Sequence, residues 1–562
     1  MRTTGAALIL ALLERQGIET VAGIPGGASL PIYDALNASP IRHVLARHEQ
    51  GAGFIAQGTA RATGRPAVCF GTSGPGATNL LTAIADAKLD SIPLVAITAQ
   101  VPRAMIGSDA FQEIDTYGLT VPITKHNWLV RSAAELLDVV PEAFRVAASG
   151  RPGPVVIDVP KDVQSEVIEV RGLPHPGRPD APPPVDAAAV RRAAALLDGA
   201  RRPILLIGAG VIAAGASALV RRLAEQASMP VASTLLGLGA MPCDHPLSLG
   251  MVGMHGAPYV NLALEECDVL LAVGMRFDDR ATGKASAFCP NARVIHVDVD
   301  ASELGKIRKP AVAVCADAAH ALDALLPQVA AKPRAAWRAR VDELRAAAPL
   351  AMPGADDPTT PYGIVRAAAE IAGDDAIVTT DVGQHQMWVA QAYPFRRPRQ
   401  CLTSGGLGTM GFGLPAAIGA ALAAPERPVL CFTGDGSLLM NLQELATAAE
   451  ERVNVKVILL NNGHLGLVRQ QQQLFYGGRY QASRFRAEPD FAALARAFGI
   501  EAVRLGDASD PREALAAALA TPGPCLVDVP IAREQNVYPM VPPGAANRDM
   551  LIAGESHADA AA

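Results

Sequence analysis

Two apolar runs in the last third of the chain each end at a polar residue that can bind a metal. "RPVLCFTG" leads into Asp435, within Gly-Asp-Gly-Ser, and "VKVILLNN" ends at Asn462. We expect two neighbouring parallel strands joined by a right-handed crossover, so that both residues meet at the carboxyl end of a sheet. One carboxylate oxygen, one amide oxygen and main-chain carbonyls form the kind of oxygen site that Mg²⁺ prefers.

The residues around Asp435 also predict a phosphate site. Gly434 and Gly436 let the backbone approach phosphate groups, and the N-terminus of the next helix, which we expect Ser437 to cap, attracts them. Each half alone would also fit an ordinary turn at the end of a strand. Together they predict a site for a metal and a diphosphate.

Short apolar runs alternate with helical patterns along the chain, which predicts α/β architecture with parallel sheets. Proline-rich stretches at 171–186 and 348–361 interrupt this rhythm and cannot hold a helix or a central strand. They predict three doubly wound domains and a C-terminal segment, at 1–170, 187–330, 358–535 and 536–562. The first and third domains share glycine-rich turns, so we expect them to share a fold.

The composition excludes some classes of function. The net charge of −6 gives no basic patch for nucleic acid. The eight cysteines form no C-x-x-C pair, and several lie in apolar strands, which predicts buried, reduced thiols. The apolar run near the N-terminus ends at Glu14 and is too short to span a membrane. We therefore expect a soluble, cytoplasmic protein.

A second stretch, "RHEQGAGFIAQGTARATGRPAVCFGTSGPGATN", places Glu49 where a strand meets a helix. Taken alone, such a glutamate is usually a partner of the helix dipole. Together with Gly-Asp-Gly-Ser and Asn-Asn, however, this stretch resembles the thiamine diphosphate-dependent decarboxylases and carboligases. The resemblance covers residues 3–550 and is strongest to the catalytic (large) subunits of acetolactate synthases of the bacterial isozyme I type.

The resemblance implies a fold and a reaction. The three domains would be a pyrimidine domain, a central FAD-binding domain and a diphosphate domain. The enzyme would decarboxylate pyruvate and join the two-carbon unit to a second pyruvate, giving 2-acetolactate, or to 2-ketobutyrate, giving 2-aceto-2-hydroxybutyrate. This is the first common step of valine, leucine and isoleucine biosynthesis. Relatives also have a small regulatory subunit.

Roles at the thiamine diphosphate site follow from the same resemblance. Glu49 would activate the cofactor of the neighbouring subunit, which implies a homodimer or homotetramer with active sites at the subunit interface. Asp435, Asn462 and the main-chain carbonyl of His464 would bind Mg²⁺. The residues that would contact the cofactor are Gly26, Val382, Gly383, Gln384, His385, Gly408, Met410, Gly434, Gly436 and Ser437. Without the neighbouring glycine, His385 would be better explained as a core or surface histidine, and a lone methionine at 410 would ordinarily be core packing.

The central domain carries "ILLIGAGVIAAGA", in which Gly-x-Gly fits a dinucleotide site and tight packing equally well. "VGMRFDDRATGK" and "VIHVDVDASELGK" resemble the FAD-binding segments of acetolactate synthases. The residues that would contact FAD are Gly208, Gly210, Thr234, Leu235, His255, Gly274, Arg276, Asp279, Asp298 and Asp317. Asp279 and its neighbours would equally fit a surface salt-bridge cluster. In this family the flavin undergoes no net redox change in the main reaction.

Further residues are expected at the substrate pocket. By resemblance, Arg280 holds the carboxylate of the second keto acid, for which its planar fork is suited. Phe111 and Gln112 line the same pocket, with Met254 and Lys161 near its mouth.

Gln471 stands where many relatives have a tryptophan. That tryptophan favours 2-ketobutyrate by packing on its extra methyl group, so glutamine should remove most of the preference. We also expect residues 465–480 and the C-terminal segment to form a lid that excludes water.

Three other functions compete with this interpretation. A pyruvate oxidase would use the flavin for redox chemistry, but the "GMRFDDRATGK" and "LGLVRQQQQ" stretches disfavour it. A glyoxylate carboligase lacks the activating glutamate, so Glu49 argues against it. A regulatory subunit without activity is opposed by the intact Glu49, Asp435 and Asn462.

Overall fold

The computed structural model describes residues 2–553 as three α/β domains, each built around a six-stranded parallel sheet. This confirms the predicted fold class. Proline-rich residues 171–186 contain neither helix nor strand, as expected. Residues 554–562, the end of the predicted C-terminal segment, lie outside the described residues.

The first domain contains an amphipathic N-terminal helix followed by alternating strands and helices. Its strands are β1 (Arg2–Thr4), β2 (Thr20–Gly23), β3 (Arg42–Leu45), β4 (Ala67–Gly71), β5 (Leu94–Gln100), β6 (His126–Leu129), β7 (Val155–Pro160) and β8 (Val167–Glu169). Its helices are α1 (Gly5–Arg15), α2 (Leu30–Leu36), α3 (Glu49–Thr63), α4 (Pro75–Asp90), α5 (Thr116–Thr120), α6 (Leu136–Ala148) and α7 (Lys161–Ser165). The sheet order is β3-β2-β4-β5-β7-β6, and β1 pairs with β8 separately.

The central domain has its own sheet, with two apolar cores on opposite faces. Its strands are β9 (Pro203–Ile207), β10 (Val231–Ser233), β11 (Ser248–Met251), β12 (Val269–Val273), β13 (Arg293–Asp298) and β14 (Val312–Cys315). Its helices are α8 (Ala187–Gly199), α9 (Ala209–Ala213), α10 (Ser217–Ala227), α11 (Pro258–Glu266), α12 (Asp279–Thr282), α13 (Ala318–Leu325) and α14 (Ala335–Ala347). The order β11-β10-β9-β12-β13-β14 reverses between β9 and β12, where doubly wound sheets open a ligand crevice.

The third domain repeats the topology of the first. Its strands are β15 (Ile377–Thr380), β16 (Cys401–Thr403), β17 (Val429–Gly434), β18 (Val455–Asn461), β19 (Glu501–Arg504) and β20 (Cys525–Pro530). Its helices are α15 (Pro361–Ala372), α16 (Gln384–Ala392), α17 (Gly413–Ala423), α18 (Asp435–Leu438), α19 (Glu444–Glu451), α20 (Gly466–Phe475), α21 (Phe491–Ala497) and α22 (Pro511–Ala520). The order β16-β15-β17-β18-β20-β19 matches the first sheet strand for strand, which confirms that the two domains share a fold.

The structure bears on two further features of the sequence, the cysteines and the apolar helices. The cysteines are unpaired in the described structure, but Cys243 and Cys315 are exposed, so the prediction of buried thiols is wrong for these two. Cys243 lies in a turn, and Cys315 is the last residue of β14. Among the helices of residues 2–553, none combines the length and apolar character needed to cross a membrane.

Helices α3 and α17 hold the first and third domains together within the chain. Glycines allow their backbones to approach closely, since a Cβ atom on Gly58 would lie 2.0 Å from the Ala416 carbonyl oxygen. A Cβ atom on Gly419 would lie 1.9 Å from the Ile55 carbonyl oxygen. Ile55 shares one apolar core with α17, so the two domains pack as one unit on this side.

Gly58→Ala should therefore destabilise the protein. The added methyl group has no space against α17, and overpacking of this kind costs about 1–3 kcal/mol. Urea unfolding followed by circular dichroism should show a lower midpoint for the variant. In the control Gly199→Ala, a Cβ atom meets nothing within 4 Å, so the midpoint should not fall, because such a replacement stabilises a protein by up to about 1 kcal/mol. Equal midpoints for both variants would contradict the close helix crossing.

Candidate active site

Asp435 and Asn462 meet at the carboxyl edge of the third sheet. Strands β17 and β18 are parallel neighbours, as the sequence predicts. One oxygen of Asp435 accepts the backbone N–H groups of Asn462, Gly463 and His464 at 3.2, 2.6 and 3.2 Å, and the other accepts that of Gly436 at 2.8 Å. Burial raises the pKa of Asp435 to about 6 despite these bonds.

The loop after β18 supplies further oxygen atoms beside Asp435. The side-chain oxygen of Asn462 accepts the N–H of His464 at 3.0 Å, and the His464 ring contacts the Asn462 carbonyl at 2.9 Å. Within residues 2–553, His, Cys, Asp and Glu form no group of three or more that could hold a metal. A metal here would therefore bind one carboxylate with amide and carbonyl oxygens, a donor set that fits Mg²⁺.

Ser437 does not cap the helix, contrary to the sequence prediction. Helix α18 begins at Asp435 directly after β17, so the N-cap position falls on Gly434. Ser437 lies one turn further on, and its hydroxyl donates to the Val382 carbonyl at 2.8 Å. The side chain thus links α18 to the turn before α16.

Glycines at the strand ends let neighbouring side chains pack closely against the backbone. A Cβ atom on Gly434 would lie 2.9 Å from Nδ1 of His385, and one on Gly436 would lie 2.4 Å from Leu465. Gly408 has φ +68°, a conformation that glycine adopts readily. Nε2 of His385 is buried without a partner among the described residues, and burial lowers the pKa of this ring to about 3. The site therefore presents a neutral imidazole that a polar ligand can satisfy.

Residues of the first domain form a separate group around Glu49. Glu49 is buried at the start of α3 and accepts a hydrogen bond from Asn79 of α4 at 2.9 Å. A Cβ atom on Gly26 would lie 2.5 Å from Oγ1 of Thr72, an atom that is buried without a partner in the described structure. Glu444 of the third domain accepts the N–H groups of the two residues before Glu49 at 2.9 and 3.0 Å.

A cavity of about 1080 Å³ lies at the reversal point of the central sheet and extends to the third domain. Nine of the ten residues predicted to contact FAD line it: Gly210, Thr234, Leu235, His255, Gly274, Arg276, Asp279, Asp298 and Asp317. Met254, Arg280, Val382 and Gly408 line it as well. Gly208 does not; a Cβ atom there would lie 2.3 Å from the Gly274 carbonyl oxygen, so this glycine serves close packing.

Some polar atoms that line the cavity have hydrogen-bond partners and others do not. Nδ1 of His255 lies 2.8 Å from the Pro539 carbonyl oxygen, while Nε2 is buried without a partner in the described chain. Burial lowers the pKa of His255 to about 4 and raises that of Asp298 to about 6. Asp279 and Arg280 lie 3.5 Å apart, with 77% and 64% of their side chains exposed. The two side chains form an exposed salt bridge, and both residues also line the cavity. The position of Asp279 is therefore compatible with either sequence interpretation, a surface salt bridge or a contact to FAD.

The other predicted substrate residues lie away from this cavity. Phe111 is 86% exposed, and Gln112 has φ +61° in the same loop; neither lines the cavity, nor does Lys161. Gln471 is half-buried on α20. Its neighbour Gln470 is fully buried.

Gln470 ties three segments together. Its oxygen accepts from Gln384 at 3.0 Å and from the Val537 N–H at 2.9 Å, and its amide donates to the Val537 carbonyl at 2.8 Å. Sequence reasoning missed this residue because it is one of four consecutive glutamines.

Arg151 is a second residue that sequence reasoning missed. It lines the cavity and pairs with Glu303 at 2.8 Å and Asp300 at 3.2 Å. Residues 179–183, interpreted only as linker, line the cavity too. Neither Arg151 nor residues 179–183 belong to a recognisable sequence motif. They reach the cavity through the packing of parts of the chain that are distant in sequence.

Comparison with known proteins places this geometry in a family. The family models for thiamine pyrophosphate enzymes match three segments: the N-terminal TPP binding domain at residues 3–119, the central domain at 190–325 and the C-terminal TPP binding domain at 381–529. Each segment falls within one of the three domains described above; the first ends before β6 and β7, and the third begins directly after β15.

Curated relatives are similar along almost the whole chain. The acetolactate synthase isozyme 1 large subunit of Escherichia coli (strain K12) is 58% identical over 98% of both chains. The acetolactate synthase large subunit of Parasynechococcus marenigrum (strain WH8102) is 50% identical, over 98% of this chain and 91% of that one. The chloroplastic acetolactate synthase of Arabidopsis thaliana is 45% identical, over 98% and 85%. The chain is therefore a thiamine pyrophosphate-dependent enzyme that belongs to the acetolactate synthase large-subunit family.

Proposed function

We propose that this chain is the catalytic subunit that decarboxylates pyruvate and joins the two-carbon unit to a second pyruvate or to 2-ketobutyrate, with thiamine diphosphate, Mg²⁺ and FAD. The observation that carries the proposal is the buried Asp435 carboxylate beside Asn462, at strand ends that Ser437 links to Val382. The relatives, all named acetolactate synthase, favour this reaction over a pyruvate oxidase or a glyoxylate carboligase.

The residues at the third sheet fit a metal and a diphosphate. Asp435, Asn462 and the His464 carbonyl would hold Mg²⁺, which would neutralise the buried carboxylate. Gly434 lets the His385 ring pack close to the strand end, and the unpartnered Nε2 of His385 fits a polar ligand. When bound, thiamine diphosphate supplies the electron sink that accepts the bonding electrons as CO₂ leaves.

Glu49 would exchange a proton with the pyrimidine N1′ atom of the cofactor. Its carboxylate bonds Asn79 and does not line the cavity that contains Val382 and Gly408. The exposed Phe111 likewise needs a covering surface. Both observations support active sites shared between two copies of the chain, in a homodimer or homotetramer. The word "large" in the relatives' names also supports a small regulatory partner.

FAD fits the cavity of the central domain. The strand order is that of dinucleotide-binding sheets, and the unpartnered Nε2 of His255 fits a polar ligand. Arg280 and Met254 line the same cavity, where Arg280 would bind the carboxylate of the acceptor keto acid.

The C-terminal segment crosses the central domain beside these residues. The Val541 N–H donates to the Met254 carbonyl at 3.0 Å, and Asn547 donates to the Ala281 carbonyl at 2.9 Å. Through Gln470 the segment is also tied to α20. We propose that it excludes water from the site and so favours ligation over release of acetaldehyde.

A shared site predicts complementation between two inactive variants. Glu49→Gln and Asp435→Asn should each lower acetolactate formation by at least about 100-fold. When the two variants are unfolded, mixed and refolded together, half the dimers are hybrids, each with one intact site and one doubly altered site. The mixture should regain about a quarter of wild-type activity.

Refolding each variant alone is the control and should give no recovery. If Glu49 and Asp435 of one chain form the site, every site in the mixture carries a substitution. An inactive mixture, with wild-type protein refolding normally, would contradict the shared site.

Gln471→Trp should shift the choice of acceptor toward 2-ketobutyrate. An indole ring can pack on the extra methyl group, and one such group is worth about 1–3 kcal/mol, or roughly 10–200-fold. The ratio of 2-aceto-2-hydroxybutyrate to 2-acetolactate is measured with both acceptors present. Gln471→Ala removes the amide without adding a ring and should show no such gain; a ratio unchanged in the tryptophan variant would place Gln471 outside the acceptor pocket.

Gln470→Ala should loosen the C-terminal segment. The Val537 backbone groups lose their partner, so the segment should open more often, and the ratio of acetaldehyde to acetolactate should increase about tenfold. Both products are measured from pyruvate. The control Gln481→Ala alters an exposed glutamine and should leave the ratio unchanged. Equal ratios in both variants would rule out this water-excluding role.

A further inference from the structure

The loop between β16 and α17, residues 404–409, lies between the two proposed cofactor sites. Its residues from Ser404 to Gly408 line the central cavity. The same loop presents Gly408, which under the proposed function binds the pyrimidine ring of thiamine diphosphate. The shape of this loop therefore bears on both cofactors.

Two carboxylates of the first domain receive most of the hydrogen bonds of this loop. Asp90 accepts the backbone N–H groups of Gly405 and Gly406 on separate oxygens, at 3.0 and 2.6 Å. Asp86 accepts the hydroxyl groups of Ser404 and Thr409, the latter at 3.0 Å. Asp86 and Asp90 are one turn apart on α4, so one face of one helix holds the loop.

The carboxylate pair is buried and has one cation. Arg61 of α3 lies 3.1 Å from Asp86 and 2.8 Å from Asp90, and both aspartate side chains are fully buried. Burial, together with the nearby Asp90 carboxylate, raises the pKa of Asp86. Two buried carboxylates that share one guanidinium depend on further donors, and the loop supplies four of them.

Loop 404–409 packs so closely against α3 and α4 that it has little room for another conformation. A Cβ atom on Gly406 would lie 2.9 Å from both Oδ1 of Asp90 and Cβ of Leu89. Arg61 also donates to the Thr403 carbonyl at 2.9 Å, which fixes the residue where the loop begins. Charge and close packing thus select one loop conformation.

We propose that Asp86 and Asp90 are positioning residues that hold loop 404–409 in the conformation that presents Gly408 to thiamine diphosphate. This role rests on the proposed function, because the cofactor defines what the loop is positioned for. Neither aspartate touches the reacting atoms. A helix of the first domain thereby sets the cofactor-binding shape of the third domain in the same chain.

Asp90→Asn tests the proposal. Both loop partners of Asp90 are backbone N–H groups, which can only donate. The substitution replaces one carboxylate oxygen by an NH₂ group, which cannot accept, so one of the two N–H groups loses its acceptor. Binding of thiamine diphosphate, measured by calorimetry with Mg²⁺ and FAD present, should weaken at least about tenfold. Hydrogen exchange of a peptide that covers residues 404–409 should become faster in the protein without thiamine diphosphate.

The control Asp138→Asn makes the same change on the exposed face of α6 and should alter neither measurement. If Asp90→Asn does not fold, Thr409→Val removes one loop bond, the one from the Thr409 hydroxyl to Asp86, and leaves the three charged residues in place; affinity should then fall about threefold. Unchanged affinity and exchange in the folded variants would overturn the proposal. Failure of the wild-type protein to bind thiamine diphosphate would instead overturn the proposed function on which it rests.

Discussion

A carboxylate buried at a strand end must be compensated, and Asp435 accepts four backbone N–H groups. Three of those groups belong to the loop after β18, so the carboxylate folds that loop around itself. The loop in turn brings the Asn462 and His464 oxygens to the same side. One buried charge thus arranges the remaining oxygen donors, and Mg²⁺ would complete the neutralisation that hydrogen bonds leave unfinished.

The order of the strands explains why the parts of the site lie where they do. Strands β2 to β7 and β15 to β20 occupy equivalent positions in two sheets with the same order. Gly26 follows β2 and Val382 follows β15, while Thr72 follows β4 and Asp435 follows β17. The same edge positions therefore carry different residues: a glycine and a threonine in the first domain, and in the third a valine and an aspartate, which we propose contact the cofactor and Mg²⁺.

Much of this arrangement could be predicted from the sequence, because parallel sheets place local motifs at known edges. Gly-Asp-Gly-Ser and Asn-Asn follow adjacent strands, and the proline-rich stretch at 171–186 separates two domains. Ser437 failed as a helix cap because no loop residue separates β17 from α18. Arg151, Gln470 and the Asp86–Asp90 pair could not be predicted, since their partners are distant in sequence and only the packing of the domains brings them together.

The close crossing of α3 and α17 makes the contacts between the first domain and loop 404–409 rigid. Because the two helices pack through glycines, the first domain cannot shift against the third without opening a shared core. Arg61 on α3 and Asp90 on α4 are carried on that rigid unit, and loop 404–409 is bonded to it. Glu49 lies at the start of the same α3, yet it does not line the cavity that contains Gly408. Under the proposed function, the rigidity that positions loop 404–409 therefore also keeps Glu49 of the same chain out of this cavity, and pairing of two chains would satisfy both constraints.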